Sequence, residues 1–281
     1  MSVIRFLSST ESHPFECQEA QPCSGADGRE APCRIELPHR PPHTSTLGLV
    51  MEPISSWLKL AELLQSHADG KWLFRGETDT GDPLKPTAGR VSREIGSARK
   101  KPYVKAHEIE ALEQFKREVR PHLTHRPEND LEWLAIAQHH GMATRLLDWT
   151  ESLLVAAFFA VVNAGARERS GRIYAIKGVP SVSKQDAKRP FEMTAVRLYR
   201  PPHITSRIPA QRGVFTVHPD PTQDYQPSSL QRWSITPKTC GKIKNILSAS
   251  AINESSLFPG VDGLSRHIRW RYKWAKFDIE T

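Results

Sequence analysis

The sequence contains few cysteines and no apolar run long enough to cross a membrane. Three of its four cysteines, Cys17, Cys23 and Cys33, lie in the first 50 residues, which leaves Cys240 for the remainder. This distribution excludes a disulfide framework and favours a reducing compartment. The longest apolar run, residues 153–162, has ten residues, against the roughly 20 that a membrane helix needs. We therefore expect a cytoplasmic protein with no membrane partner.

The first 50 residues also lack a hydrophobic period. They contain six prolines among scattered polar residues, a composition that cannot bury a core and predicts a disordered extension. Their three cysteines are separated by five and then nine residues, which matches no common zinc finger or ribbon. We therefore predict no metal site, and we place the folded domain at residues 51–281 with a core of about 72–274.

Basic residues outnumber acidic ones, but they form no single basic tract. The 39 lysines and arginines stand against 31 acidic residues and give a formal net charge of +8. This charge is compatible with an anionic ligand, a nucleotide or a nucleic acid as partner. Because the charges are spread along the chain, composition does not choose among these partners or indicate an oligomeric state.

Hydrophobic periodicity predicts helices in the first half of the chain and strands mainly in the second. Amphipathic patterns predict helices over residues 104–120 and 130–140, and an apolar pattern on all sides predicts a buried helix over 150–163. Short apolar and alternating patterns predict strands at residues 71–75, 172–177, 213–218 and 232–236. The order predicts an α+β fold, in which N-terminal helices surround a central buried helix on a mixed, largely antiparallel sheet formed mostly by the C-terminal half.

The C-terminal residues 269–274 alternate basic and aromatic side chains. A period of two predicts a strand that buries Trp270, Tyr272 and Trp274 and exposes the basic residues between them. One interpretation is an edge strand whose charges discourage pairing with another chain. The other is a nucleic-acid surface that contacts phosphates and stacks on bases.

The segment from Gln138 to Gly141 places polar residues at the end of a predicted helix. Gln138 continues the apolar face of residues 130–140, so its amide is expected to be buried and hydrogen-bonded. It is either a structural tie or part of a site. His139 and His140 lie at the C-terminal end, where a protonated imidazole is favoured by the helix dipole.

Arg145 and Asp148 follow closely and allow several interpretations. Asp148 and Glu151 have the spacing of a capping box for the predicted buried helix. Arg145 is a candidate to pair with Asp148. An arginine in a cleft is also suited to bidentate recognition of a phosphate or a carboxylate.

These residues carry a resemblance to a known family. Phe74-Arg75-Gly76, followed by residues 138–141 (QHHG) and 144–150 (TRLLDWT), resembles the FRG domain family. The similarity continues in order through the segments at residues 156–160, 206–216 and 257–264. One departure bears on chemistry, because this chain has Glu77 where the family commonly has glutamine. A carboxylate there shares a strand face with Arg75 and is able to neutralise it.

The resemblance implies little about activity, because the family, frequent in bacteria and phages, has no agreed catalytic scheme. Arg75 beside an early strand, and Gln211 with Phe215 beside a later one, are laid out like the NAD-binding arginine and the late motif of ADP-ribosyltransferases. No acidic residue is adjacent to Gln211. Glu77 or Asp148 would have to supply the carboxylate that such enzymes use for the ribose.

The sequence therefore predicts one cleft that binds a nucleotide-like or other anionic ligand. The identity of any cofactor is left open, with NAD or another nucleotide as candidates. Whether the protein is an enzyme stays open, and the alternative is a non-catalytic binding module for nucleic acid or a partner protein. The candidate catalytic residues are His139, Asp148 and Glu77. The candidate ligand-binding residues are Arg75, Gln138, Thr144, Arg145, Gln211 and Phe215.

Overall fold

The computed structural model of the chain describes residues 53–79, 81–90, 92–93, 100–123, 126–163 and 169–275. The predicted disordered extension, residues 1–50, lies outside this part of the chain. The α-helices are α1 (Trp57–Ser66), α2 (Lys105–Glu118), α3 (Asp130–His139), α4 (Leu153–Val161), α5 (Lys184–Lys188), α6 (Arg207–Gln211), α7 (Pro237–Ala249), α8 (Glu254–Leu257) and α9 (Val261–Ala275). The strands are β1 (Trp72–Thr78), β2 (Ser92–Arg93), β3 (Lys100–Lys101), β4 (Leu146–Thr150), β5 (Gly171–Lys177), β6 (Arg197–Tyr199), β7 (Gly213–Val217) and β8 (Gln231–Ile235).

Six of these strands form one antiparallel sheet in the order β6-β7-β4-β1-β5-β8. Two isolated parallel bridges, Ile54 with Ile235 and Ser181 with Leu198, join its periphery. The predicted α+β fold is confirmed, with five of the six strands in the C-terminal half of the chain. None of the helices in the described residues is both long and apolar enough to cross a membrane.

The centre of the sheet is unevenly paired. Strands β1 and β5 are in register over seven residue pairs, from Trp72 with Lys177 to Thr78 with Gly171. In contrast, β1 and β4 are in register at Phe74 with Thr150. The sheet therefore opens between β1 and β4 beyond this pair, which leaves room for side chains from both strands.

Helix α4 is the buried helix that the apolar pattern predicted, but it begins later than expected. Ser152 caps it by accepting a hydrogen bond from the backbone of Val155, so the helix starts at Leu153. Residues 146–150 form strand β4 instead. The prediction that Asp148 and Glu151 form a capping box is therefore wrong, because Asp148 lies in the middle of a strand.

Gly76 allows α4 to lie directly on the sheet. A Cβ added to Gly76 would stand 1.7 Å from the backbone oxygen of Ala156, so no larger residue fits without displacing the helix. The strand predicted over residues 71–75 is longer than expected, because β1 continues through Gly76 to Thr78. Gly76 therefore allows helix α4 to pack closely on strand β1, and it does not form a turn.

Two hydrophobic clusters cover one face of the sheet and a third covers the other. The first joins α4, α7 and α8 to residues such as Phe74, Ile173 and Trp233. The second packs α2 and α3 against β4, β6 and β7. The third lies on the opposite face and includes Leu73, Trp149 and other side chains beneath the loops. The cleft described below lies where the first two clusters meet.

The C-terminal strand predicted at residues 269–274 is wrong, because this segment belongs to helix α9. The contacts of α9 with the domain recur every three or four residues. A Cβ on Gly263 would meet the backbone of Phe258, His267 Nδ1 lies 3.6 Å from Glu254, and Trp270 lies under the Lys244 ammonium. Tyr272, predicted to be buried, is 64% exposed. The six-residue alternation was too short to show the helical period.

Candidate functional site

A cleft lies between the opening of the sheet, the C-terminal end of α3, the face of α4 and the short helix α6. It encloses about 700 Å³ of empty space when its open mouth is counted. Most of its wall is apolar, and its polar side chains come from distant segments of the chain. The polar lining residues are Arg75, Gln138, His139, Asp148, Thr150, Arg207 and Gln211.

Arg75 occupies the gap between β1 and β4. Its Nη1 donates to the backbone oxygen of Asp148 at 3.0 Å, and its Nε and Nη2 donate to Glu77 Oε2 at 3.3 and 3.2 Å. The Asp148 carboxylate lies 3.7 Å from Nη1. The guanidinium is therefore charge-balanced by two carboxylates, and these three hydrogen bonds use three of its five N–H groups.

Asp148 places a carboxyl group in the wall of the cleft. Its Oδ1 accepts a hydrogen bond of 2.6 Å from Gln138 Nε2, and the Gln138 oxygen accepts one from the Thr144 hydroxyl. Burial raises the pKa of Asp148, whereas Arg75 and Gln138 act to lower it. Gln138 is thus the satisfied buried amide that the sequence predicted, and it also holds Asp148. Thr144 is itself fully buried and does not line the cleft.

Glu77 stands behind Arg75 and is not among the residues that line the cleft. In addition to the two bonds from Arg75, its Oε1 accepts a hydrogen bond of 3.2 Å from the Tyr174 hydroxyl. Burial, reinforced by Glu77, raises the pKa of Tyr174. Glu77 therefore orients and neutralises Arg75, and a direct catalytic role for it stays a prediction.

His139 lines the cleft at the C-terminal end of α3. Its Nδ1 lies 3.4 Å from the Thr205 hydroxyl. Burial lowers the pKa of His139 to about 4, and the nearby charges of Arg207 and His140 act in the same direction. His139 is therefore neutral at physiological pH, so the helix-dipole interaction expected for a protonated imidazole does not apply to it.

Two histidines that are kept neutral by burial should make the stability of the domain depend on pH. The pKa of His139 and that of His218 are both lowered to about 4, against about 6.5 in an unfolded chain. Between these values the unfolded state binds more protons, so the free energy of unfolding should fall as pH falls from about 6.5 to about 4. Urea denaturation at several pH values checks this, and His218→Gln should reduce the slope. A variant slope equal to that of the wild type would contradict it.

Gln211 and Phe215 reach the cleft from the segment before and within β7. Gln211 Nε2 donates to the backbone oxygen of Leu257 at 2.9 Å, and the Gln211 carbonyl accepts from the Thr150 hydroxyl at 2.7 Å. Phe215 is 8% exposed. Gln211 thus ties α6 to both α8 and β4, and Phe215 supplies apolar wall.

Arg145 does not line the cleft. Its side chain is 0% exposed, and its Nη2 donates to Glu108 Oε2 at 2.9 Å and to the Tyr103 hydroxyl at 2.8 Å. Its guanidinium also lies 4.2 Å from the centre of the Phe191 ring. Its ion-pair partner is Glu108 on α2 and not Asp148. We therefore leave Arg145 out of the ligand-binding set, because its donors are enclosed.

Arg207 lines the cleft but was not singled out from the sequence. It begins α6 and lies only four residues before Gln211, inside a segment that already carried the family resemblance. Its guanidinium lies 5.4 Å from the centre of the Phe258 ring, and Arg266 lies 5.0 Å from the same ring. Burial is the main cause that lowers the pKa of Arg207, and the positive charge of Arg266 is the second. The cleft thus holds a second cationic group.

Comparison with known proteins gives one match. A family model described as the FRG domain matches residues 70–169, a range that includes Arg75, Glu77, Gln138, His139 and Asp148. The match ends before Arg207 and Gln211. Neither the curated proteins nor the solved structures contain a match to this chain.

Proposed function

We propose that this chain, in which an FRG domain is present, binds an anionic, nucleotide-like ligand in the cleft between α3, α4 and α6. The observation that carries the proposal is the convergence of Arg75, Gln138, Asp148, Arg207 and Gln211 on one cleft with a largely apolar wall. A concave, mostly apolar site with a few convergent polar groups is typical of small-molecule binding. A structural core alone does not require two arginine side chains in the wall of one cleft.

The walls of the cleft fit the two parts of a nucleotide. Phe159, Phe215 and Phe258 contribute aromatic wall on which a ring is able to pack. Gln138 and Asp148 offer hydrogen-bonding groups for hydroxyl or amide substituents, and arginine N–H groups match phosphate oxygens. NAD carries all of these groups, so NAD or another nucleotide is the proposed cofactor.

An ADP-ribosyltransferase-like reaction is the finer proposal. Such a reaction breaks the bond between nicotinamide and ribose and joins the ribose carbon to an acceptor atom, which loses a proton. Asp148 lines the cleft and is the carboxylate we assign to the ribose, whereas Glu77 positions Arg75. His139 lines the same cleft and is the imidazole to which we assign the proton of the acceptor.

The binding proposal predicts a defined effect of Arg75→Lys. Lysine keeps the positive charge, but its ammonium cannot donate to Glu77 and to the backbone oxygen of Asp148 with the geometry of a guanidinium. The side chain that fills the gap between β1 and β4 is then no longer held in one position. We expect the affinity for NAD to fall about tenfold or more, from the loss of charge-assisted hydrogen bonds. Calorimetric titration with NAD, ADP and AMP measures this.

The matched control is Arg189→Lys, because Arg189 makes an exposed ion pair with Glu192 away from the cleft. This variant should bind as the wild type does. Flat titrations of the wild type at millimolar nucleotide would contradict the proposal. Salt-sensitive binding of nucleic acid, unchanged by Arg75→Lys, would favour the binding-module alternative. The cytoplasm remains the proposed location.

A further inference from the structure

The two arginines that line the cleft differ in how their charge is balanced. Arg75 contacts the carboxylates of Glu77 and Asp148. Among the described residues, no carboxylate lies within ion-pair distance of Arg207. The positive charge of Arg266 lowers the pKa of Arg207 more than the negative charge of Asp262 raises it. The uncompensated positive charge of the cleft therefore resides at Arg207.

Phe258 holds this charge in place. The guanidinium groups of Arg207 and Arg266 both lie over its ring, at 5.4 and 5.0 Å from the centre. Phe258 in turn meets Phe159 edge to face, with ring centres 6.0 Å apart. Attraction of each cation to the ring offsets part of the repulsion between them. A bound anion beside Arg207 would also oppose the repulsion that Arg266 exerts on Arg207, which favours this position for a phosphate.

The polar groups of the cleft also differ in burial. Arg75 and Gln138 are 8% and 2% exposed and form, with Asp148, a buried and charge-balanced group. Arg207 and Phe258 are only partly buried. A phosphate placed beside Asp148 would meet a carboxylate at close range, and like charges there repel strongly because burial weakens screening. Beside Arg207, Asp262 is the carboxylate that acts on the guanidinium, and it does not lie within ion-pair distance of it.

We infer that Arg207, positioned by Phe258, binds the phosphate of the ligand, and that the ligand is a phosphate-bearing nucleotide whose uncharged sugar or amide end reaches Gln138 and Asp148. This inference rests on the proposed function and adds the position of the phosphate to it. Arg207 is thereby a specificity-determining residue that separates nucleotides from nucleosides. Phe258 acts through Arg207 as a positioning residue.

The test compares AMP with adenosine, and nicotinamide mononucleotide with nicotinamide riboside, by calorimetric titration. Each pair differs by one phosphate. Arg207→Gln should weaken binding of the two phosphorylated ligands roughly tenfold to a hundredfold, the loss of a charge-assisted contact. It should leave the two nucleosides within about twofold of the wild type. Phe258→Leu should show a smaller loss with the same dependence on phosphate, because the wall stays apolar while the ring is removed.

Equal weakening of nucleosides and nucleotides by Arg207→Gln would overturn the inference, since it would show a general effect on the cleft. An unchanged affinity of Arg207→Gln for the nucleotides would overturn the inference as well. If Arg75→Lys still weakens binding in that case, the proposed function stands. Absence of binding by the wild type overturns both. Arg207 is partly exposed, so circular dichroism and the melting temperature are expected to confirm a folded variant, and Arg189→Gln serves as the surface control.

Discussion

Replacing Arg145 with methionine should lower the free energy of unfolding by about 3–5 kcal/mol, which is the usual cost of breaking a buried ion pair. The guanidinium is 0% exposed and links strand β4 to α2 through Glu108 and to the Tyr103 hydroxyl. In the variant the Glu108 carboxylate, 3% exposed, keeps a buried charge without its cationic partner. Urea denaturation measures the loss.

The control for this prediction is Arg189→Met. Arg189 and Glu192 form an ion pair whose side chains are 65% and 66% exposed, and such pairs contribute roughly 0–1 kcal/mol. The double variant Arg145→Met with Glu108→Leu should recover part of the stability, because no unpaired charge is then buried. A loss below about 1 kcal/mol in Arg145→Met would contradict the structural role of Arg145.

Replacing Gly76 with alanine should lower the free energy of unfolding by about 3 kcal/mol or more, at the upper end of the cost of overpacking. The new Cβ would stand 1.7 Å from the Ala156 oxygen and 2.8 Å from the Ala160 nitrogen, so the backbone of α4 must move. Helix α4 lies in the first hydrophobic cluster with Phe74 and Ile173. Urea denaturation measures the change.

Gly241→Ala provides the matched comparison. Gly241 lies inside helix α7, and a Cβ there meets no atom within 4 Å. Alanine should therefore stabilise the domain by roughly 0.5–1 kcal/mol, its advantage over glycine within a helix. If Gly76→Ala and Gly241→Ala had effects of the same sign and size, the close packing of α4 on β1 would be contradicted.

The sequence predicted the helices and strands in which the pattern of apolar residues matches the residues that are buried. Helix α2 shows one apolar stripe, whereas α3 is buried over residues 131–138. The predicted spans of 104–120 and 130–140 agree with Lys105–Glu118 and Asp130–His139. Strands β5, β7 and β8 were likewise found near their observed bounds. In these segments the local pattern and the tertiary environment agree, so a short window is sufficient.

The errors arose where tertiary contacts decide the structure. Residues 146–150 form a strand because they pair with β7, over five residue pairs, which lie far along the chain. The period of α9 is set by contacts of Gly263, His267 and Trp270 with the domain. No local pattern in residues 269–274 records those partners, so the alternation of basic and aromatic residues was misleading.

The site was partly predictable for a similar reason. Gln138 was recognised because it continues an apolar helix face, and Arg75 because it belongs to the Phe74-Arg75-Gly76 tripeptide of the resemblance. The choice of second arginine was not predictable, because it depends on which side chain tertiary contacts enclose and which one reaches the cleft. Arg145 is enclosed with Glu108, whereas Arg207 reaches the cleft. The sequence alone does not show whether an arginine is buried in an ion pair with a carboxylate.

The central claim is that a nucleotide-like ligand binds in the cleft, and an NMR titration tests it most directly. Addition of NAD to the ¹⁵N-labelled chain should shift the side-chain amide signals of Gln138 and Gln211 and the backbone signal of Gly213, all of which lie in the cleft wall. The backbone amide of Gly241, on α7 outside that wall, should stay unshifted. Shifts confined to α7 or α9, or no shifts at millimolar NAD, would contradict the claim.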